Sequence, residues 1–101
     1  MYIERKAGSV TGEARIGRVS FSKTGRTLYY RNMAFLKVKD GFKYNCIELE
    51  TGEEYWISGC KKDGTDSLYA PKPIFIDEDC RIDYWTTIRN KPEIIYNKFS
   101  K

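Results

Sequence analysis

Glycine turns recur along this chain at short intervals: Lys23-Thr24-Gly25, Asp40-Gly41, Thr51-Gly52 and Asp63-Gly64. Between them lie short runs rich in Val, Ile, Tyr, Phe and Trp. Glycine supplies the turn conformations that other residues resist, and β-branched and aromatic side chains suit a half-buried pleated surface. Short strands punctuated in this way read as an antiparallel meander that closes, or nearly closes, into a small barrel. The expected strands cover 14–21, 26–31, 33–38, 43–50, 53–58 and 73–76, with the longest loop over 60–72. A chain of 101 residues is the size of one domain. The fold expected is therefore mainly β: a small antiparallel SH3-like barrel with one C-terminal helix.

Alternation sets the register of the hairpins. A turn at Thr24-Gly25 opposes Phe21 to Leu28 and Val19 to Tyr30, both pairs facing the core. Ser20 then faces Tyr29, and Arg18 faces Arg31, on the outer side. Ile16 falls out of phase with Val19, so Gly17 is expected at a bulge. In the hairpin around Glu50-Thr51-Gly52-Glu53, Ile47 and Leu49 are placed inward against Tyr55 and Ile57. Cys46, Glu48, Glu54 and Trp56 are placed outward.

The helix is expected near 78–90. Asp77 caps it, Glu78 and Asp79 favour the first turn, and Ile82, Trp85 and Ile88 form the buried stripe. Asn90 and Pro92 end it. Asp83 joins these acids as cap or solvated face. The barrel and helix occupy 1–92, and 93–101 is a C-terminal extension, short or frayed.

Several chemistries are excluded or disfavoured. The chain has no His, which removes Ser-His-Asp triads, His-based zinc sites and His general bases. Cys46, Cys60 and Cys80 are 14 and 20 residues apart, with no C-x-x-C, so no zinc set is expected. An odd cysteine count without a signal peptide points to reduced thiols and a cytoplasmic location. The apolar runs are only a few residues, as at Tyr55-Trp56-Ile57, whereas a membrane span needs about 20. Gly17-Arg18-Val19-Ser20-Phe21-Ser22-Lys23-Thr24 falls one residue short of a P-loop and reads as a strand, not as a loop opening a helix. Cys60, beside Lys61 and Lys62, is a minority candidate for a nucleophile, because neighbouring cations lower a thiol pKa. Catalytic residues, metal and cofactors are expected to be none, and no acid–base pair stands out.

Charge is placed unevenly. Residues 1–39 hold nine basic and two acidic residues, and residues 40–101 hold nine basic and twelve acidic ones. The net +4 is thus +7 against −3. A basic stretch interleaved with Tyr suits nucleic acid, since cations track phosphates and aromatic faces stack on bases. The expected function is a non-catalytic binding module. Its candidate nucleic-acid face is Arg18, Lys23, Arg26, Tyr29 and Arg31. Arg18 and Arg31 are expected to await an external anion rather than borrow an acid from later strands. The alternative is a protein–protein module, an adaptor or inhibitor, using Trp56, Lys61, Lys62 and the 60–72 loop.

Two stretches, Ala14 to Tyr30 and Glu53 to Gly64, with the segment from Asp77 to Trp85, resemble a group of small uncharacterised bacterial proteins of similar length. The resemblance extends to about Pro92. Some of that group carry the name deoxyxylulose-phosphate synthase, a large thiamine-dependent enzyme that a chain of this length cannot build. No activity is carried over from that name, and the resemblance implies a bacterial, cytoplasmic origin.

Overall fold

The computed structural model describes residues 1–6, 13–39, 44–66 and 73–100. Eight strands form one sheet: β1 (Tyr2–Arg5), β2 (Ala14–Ile16), β3 (Ser20–Phe21), β4 (Thr27–Tyr30), β5 (Met33–Lys37), β6 (Cys46–Glu48), β7 (Glu54–Ser58) and β8 (Phe75–Ile76). Their order is β3-β4-β5-β6-β7-β1-β2-β8. The sheet curves into a half-barrel with β3 and β8 as its edges. It is mixed rather than wholly antiparallel, because β2 and β8 run parallel.

Strand β1 was not expected, yet it lies between β7 and β2 in the middle of the sheet. Consecutive residues point to opposite faces of a strand. Ile3 joins a cluster with Leu28, Tyr30, Phe35, Cys46, Tyr55 and Ile57 on the concave face. Tyr2 joins Ile16, Ile74, Ile76, Cys80, Tyr84 and Trp85 on the other face, under the helix. Burial on both faces erases the polar alternation that marks a strand. The Lys6 ammonium donates to Glu4 at 3.0 Å, and the Tyr2 hydroxyl donates to the other carboxylate oxygen at 2.5 Å, all three side chains being buried.

The pairing of Phe21 with Leu28 and Ser20 with Tyr29 agrees with the expected register. Leu28 and Tyr30 are buried, but Phe21 sits at the free edge and is 47% exposed. In the β6–β7 hairpin, Tyr55 and Ile57 point inward as expected, whereas the β6 arm is inverted. Cys46 pairs with Tyr55 and is buried with Glu48, while Leu49 is exposed. The cause is the turn. The Glu48 carboxylate accepts the N–H groups of Glu50 and Thr51, so Glu48 turns inward to cap it and Leu49 is left outside. Trp56 is half-buried against the helix-side cluster rather than presented outward.

The strand expected over 14–21 breaks after Ile16. Gly17 there provides room rather than a bulge: a Cβ would collide with the Tyr30 ring and lie 2.8 Å from Asp77 Oδ2. Gly17→Ala is expected to destabilise the protein by about 1–3 kcal/mol, the usual cost of overpacking. Matching denaturant midpoints for variant and wild type would show that Tyr30 and Asp77 move aside freely.

The helix runs as a 3₁₀ turn over Glu78–Cys80, an α turn over Arg81–Asp83 and π geometry over Tyr84–Ile88. Its buried stripe is Cys80, Tyr84 and Trp85, with Ile88 partly buried, and Ile82 is 57% exposed. Cys80, Tyr84 and Ile88 recur at spacing four, the ordinary repeat of one helix face, with Trp85 beside them. Asn90 ends the helix at a positive φ of 53°. Beyond it the chain returns along β8. Ile76 N–H donates to Lys98 O, Ser100 N–H donates to Ile74 O, and Phe99 bridges Phe75. Among the described residues no helix is long and apolar enough to cross a membrane.

Candidate functional site

The turn between β3 and β4 presents two of the expected cations. Gly25 takes a φ of +73°, and its N–H donates to Ser22 O at 2.9 Å, closing the turn. Lys23 and Arg26 are left exposed on either side of it. Arg26 O accepts the N–H of Lys37, which places the end of β5 beside the turn. Between them lies a groove of about 650 Å³ lined by Thr24, Gly25, Arg26, Leu36, Lys37 and Lys39, among others. No carboxylate lines it among the described residues. Among the same residues, none of Lys23, Arg26, Lys37 and Lys39 forms an ion pair. Lys37 Nζ stands 5.5 Å from the centre of the exposed Phe21 ring. Tyr29, also exposed, lies on the outer face of the same hairpin.

Arg18 and Arg31 have a different setting. Arg18 donates to Asp79 O at 2.8 Å and to Asp83 Oδ2 at 3.0 Å. The hydrogen bond to Asp83 raises its pKa. Arg31 donates to Asp77 Oδ1 at 3.1 Å. Both arginines are therefore paired with acids, and those acids come from the start of the helix rather than from later strands. The expectation that the two stand unneutralised is corrected on this point.

Asp77 is the centre of this arrangement. Its side chain makes no cap bond to the helix, contrary to expectation. It is buried instead, where Oδ1 also accepts Arg15 Nε at 2.7 Å and Oδ2 accepts the Tyr30 hydroxyl. Burial alone would raise its pKa, but the hydrogen bonds from Tyr30 and Arg15 outweigh it and hold the carboxyl below its ordinary value. Burial, together with the bond to Asp77, pushes the Tyr30 hydroxyl up to about 12. Asp77 follows edge strand β8, and Tyr30 ends β4, so this cluster ties the open side of the half-barrel with side chains.

The residues of the alternative surface do not form one face. Trp56 is half-buried against the helix-side cluster, while Lys61 and Lys62 are exposed on the turn before Gly64. The Asp66 carboxylate folds back to accept Lys61 N–H at 2.7 Å and is buried. Positions 67–72 of the expected loop lie outside the described residues. Burial pushes the Cys60 thiol up to about 11, so the adjacent lysines do not activate it. Among the described residues no group of three or more metal-ligating side chains converges.

Lys37 and Lys39 belong to the basic half of the chain but lie outside the expected face. Their spacing of two at the end of a strand was the available signal, since it puts both on one side. Arg5 carries no such signal, because its strand β1 is not among the expected ones, and Arg15, inside an expected strand, meets Asp77 and Phe75 only through the tertiary structure. No protein-family model, curated protein or solved structure matches the chain.

Proposed function

We propose that this protein is a non-catalytic module, built on a small SH3-like barrel open between β3 and β8, that binds single-stranded nucleic acid. The observation that carries the reading is the groove at the β3–β4 turn, where Arg26, Lys37 and Lys39 face solvent with no lining carboxylate among the described residues. Lys23 is exposed on the same turn, and the exposed Phe21 ring, 5.5 Å from Lys37 Nζ, is placed for stacking, with Tyr29 exposed on the other face of the hairpin. Arg18, already paired with Asp79 and Asp83, contributes less.

Three or four phosphate contacts make log affinity fall with log salt at a slope of roughly −2 to −3 for single strands. Fluorescence anisotropy of a labelled single-stranded oligonucleotide across a salt series measures it. Replacing Lys37 and Lys39 together by Gln is expected to reduce the slope by about 1.4. Changing Arg18 to Gln is expected to shift it far less. Absence of any oligonucleotide binding in low salt overturns the reading. The protein-module reading then takes its place, with Tyr29, Leu36 and Leu49, each at least 44% exposed, as its apolar contacts.

A further inference from the structure

At the other end of the β4–β5 hairpin the concave face opens into a second hollow, of about 190 Å³. Three guanidiniums line it: Arg5, Arg15 and Arg31. Two of them are in charge excess. Arg15 and Arg31 share the single carboxylate of Asp77, and both of its oxygens are occupied, Oδ1 by the two arginines and Oδ2 by Tyr30. Arg15 gives Nε to Asp77, lies over the Phe75 ring at 4.6 Å and also meets the Tyr30 hydroxyl, while Arg31 gives one terminal nitrogen to Asp77 and lies 5.3 Å from the Tyr30 ring centre, so terminal N–H donors of both remain outside the Asp77 bonds. Each guanidinium has five N–H donors. Arg5 differs, because it grips Glu53 with two nitrogens and also lies beside Glu13, the one carboxylate that lines the hollow among the described residues. The surplus of positive charge and of free donors therefore sits at the Arg15–Arg31 side.

The backbone at Arg31 points the same way. Tyr30 pairs with Met33, so Arg31 and Asn32 form a two-residue turn, and Arg31 has a φ of +55°. Glycine is the residue suited to that first position of the turn. An arginine there is strained, and strained residues cluster at ligand clamps. The opposite wall is apolar and polarisable: the Met33 thioether sulfur Sδ accepts the Tyr55 hydroxyl at 3.8 Å.

We propose that this hollow binds a small organic anion, its carboxylate or phosphate held by Arg15 and Arg31 and its body resting on Met33 and Tyr55. The volume is below the roughly 300–1,000 Å³ of sites for drug-sized ligands, so the body is about one ring in size. A planar fork grips either oxyanion through paired N–H donors. This site is separate from the groove and does not depend on the nucleic-acid reading.

Titration of the isotope-labelled protein with inorganic phosphate, phenyl phosphate and benzoate, followed by amide chemical shifts, tests it. At least one probe is expected to saturate with a dissociation constant near 1 mM or below, shifting residues around Arg15, Arg31 and Met33. Phenyl phosphate against benzoate separates the two oxyanions, and inorganic phosphate shows what the ring adds. Arg31→Gly is expected to weaken binding about ten- to a hundredfold, the loss of a charge-assisted pair. Its denaturant midpoint is expected not to fall, since glycine relieves the turn and Arg15 and Tyr30 remain on Asp77. Arg31→Lys keeps the charge without the fork and is expected to fall between. The variant with Lys37 and Lys39 both changed to Gln is expected to bind the probes like wild type. Failure of all three probes to saturate by about 10 mM, roughly tenfold above that constant, overturns the proposal. Wild-type affinity in Arg31→Gly, or loss only when Lys37 and Lys39 are changed, overturns it as well.

Discussion

Trp85→Ala is expected to lower the unfolding free energy by about 3–5 kcal/mol, the range for deleting a core aromatic. Trp85 is 1% exposed, its ring meets Tyr84 edge-on at 5.1 Å, and the Arg89 guanidinium stands 5.0 Å above it. Its indole N–H donates to Asn97 O at 2.9 Å. The substitution therefore opens a cavity beneath the helix and also releases the returning C-terminal segment. Small domains have about 5–15 kcal/mol in total, so the variant is left near the margin. Trp56→Ala removes a ring that is only half-buried and is expected to cost less. Urea unfolding followed by circular dichroism measures both. A Trp85→Ala loss below about 1 kcal/mol, the level of many surface changes, would mean that the helix does not pack as described.

Asp77→Ala is expected to cost about 2–3 kcal/mol. It strands the buried Tyr30 hydroxyl and removes the acceptor shared by Arg15 and Arg31. The full price of a broken buried ion pair does not apply, because Arg15 and Arg31 are 32% and 54% exposed and regain water. The pH dependence has a defined sign. The folded carboxyl lies below its ordinary 3.8, so its contribution is present above about that pH and is lost as pH falls through the lower folded value. Asp77→Asn is expected to flatten this part of the acid limb. Tyr30 acts at the other end. Its hydroxyl is raised to about 12, so its contribution is complete below pH 10 and is lost as pH rises through about 12. An acid limb identical in wild type and Asp77→Asn would show that the carboxylate is not held by its neighbours.

The hairpins show how far local pattern carries. The β3–β4 register follows from alternation and from the conformation available to Gly25, both properties of a few adjacent residues. The β6 arm does not follow, because Glu48 is polar by type but inward by its bonds to the next turn. Leu49, apolar by type, is consequently outside. In the helix, period three singles out Ile82, Trp85 and Ile88, whereas the buried face runs at spacing four through Cys80, Tyr84 and Ile88, with Trp85 beside it, and leaves Ile82 outside.

The candidate sites divide in the same manner. Lys23, Arg26 and Tyr29 are exposed where the hairpin pattern put them, since a turn and its outer face are set by local geometry. Whether a cation is free depends on what the rest of the chain brings beside it. Arg18 and Arg31 meet acids from residues 77–83, a contact that no spacing within the hairpin encodes.

Strand-forming composition, turn positions, the absence of histidine chemistry and the uneven charge were all properties of the amino-acid sequence by itself, because each depends on residue type or on neighbours a few positions apart. The place of β1 at the centre of the sheet, the open side tied by Asp77, and the choice of which arginines stay available were decided only by the tertiary structure. Those features arise where segments distant along the chain meet, and burial and pairing there override what each residue does alone.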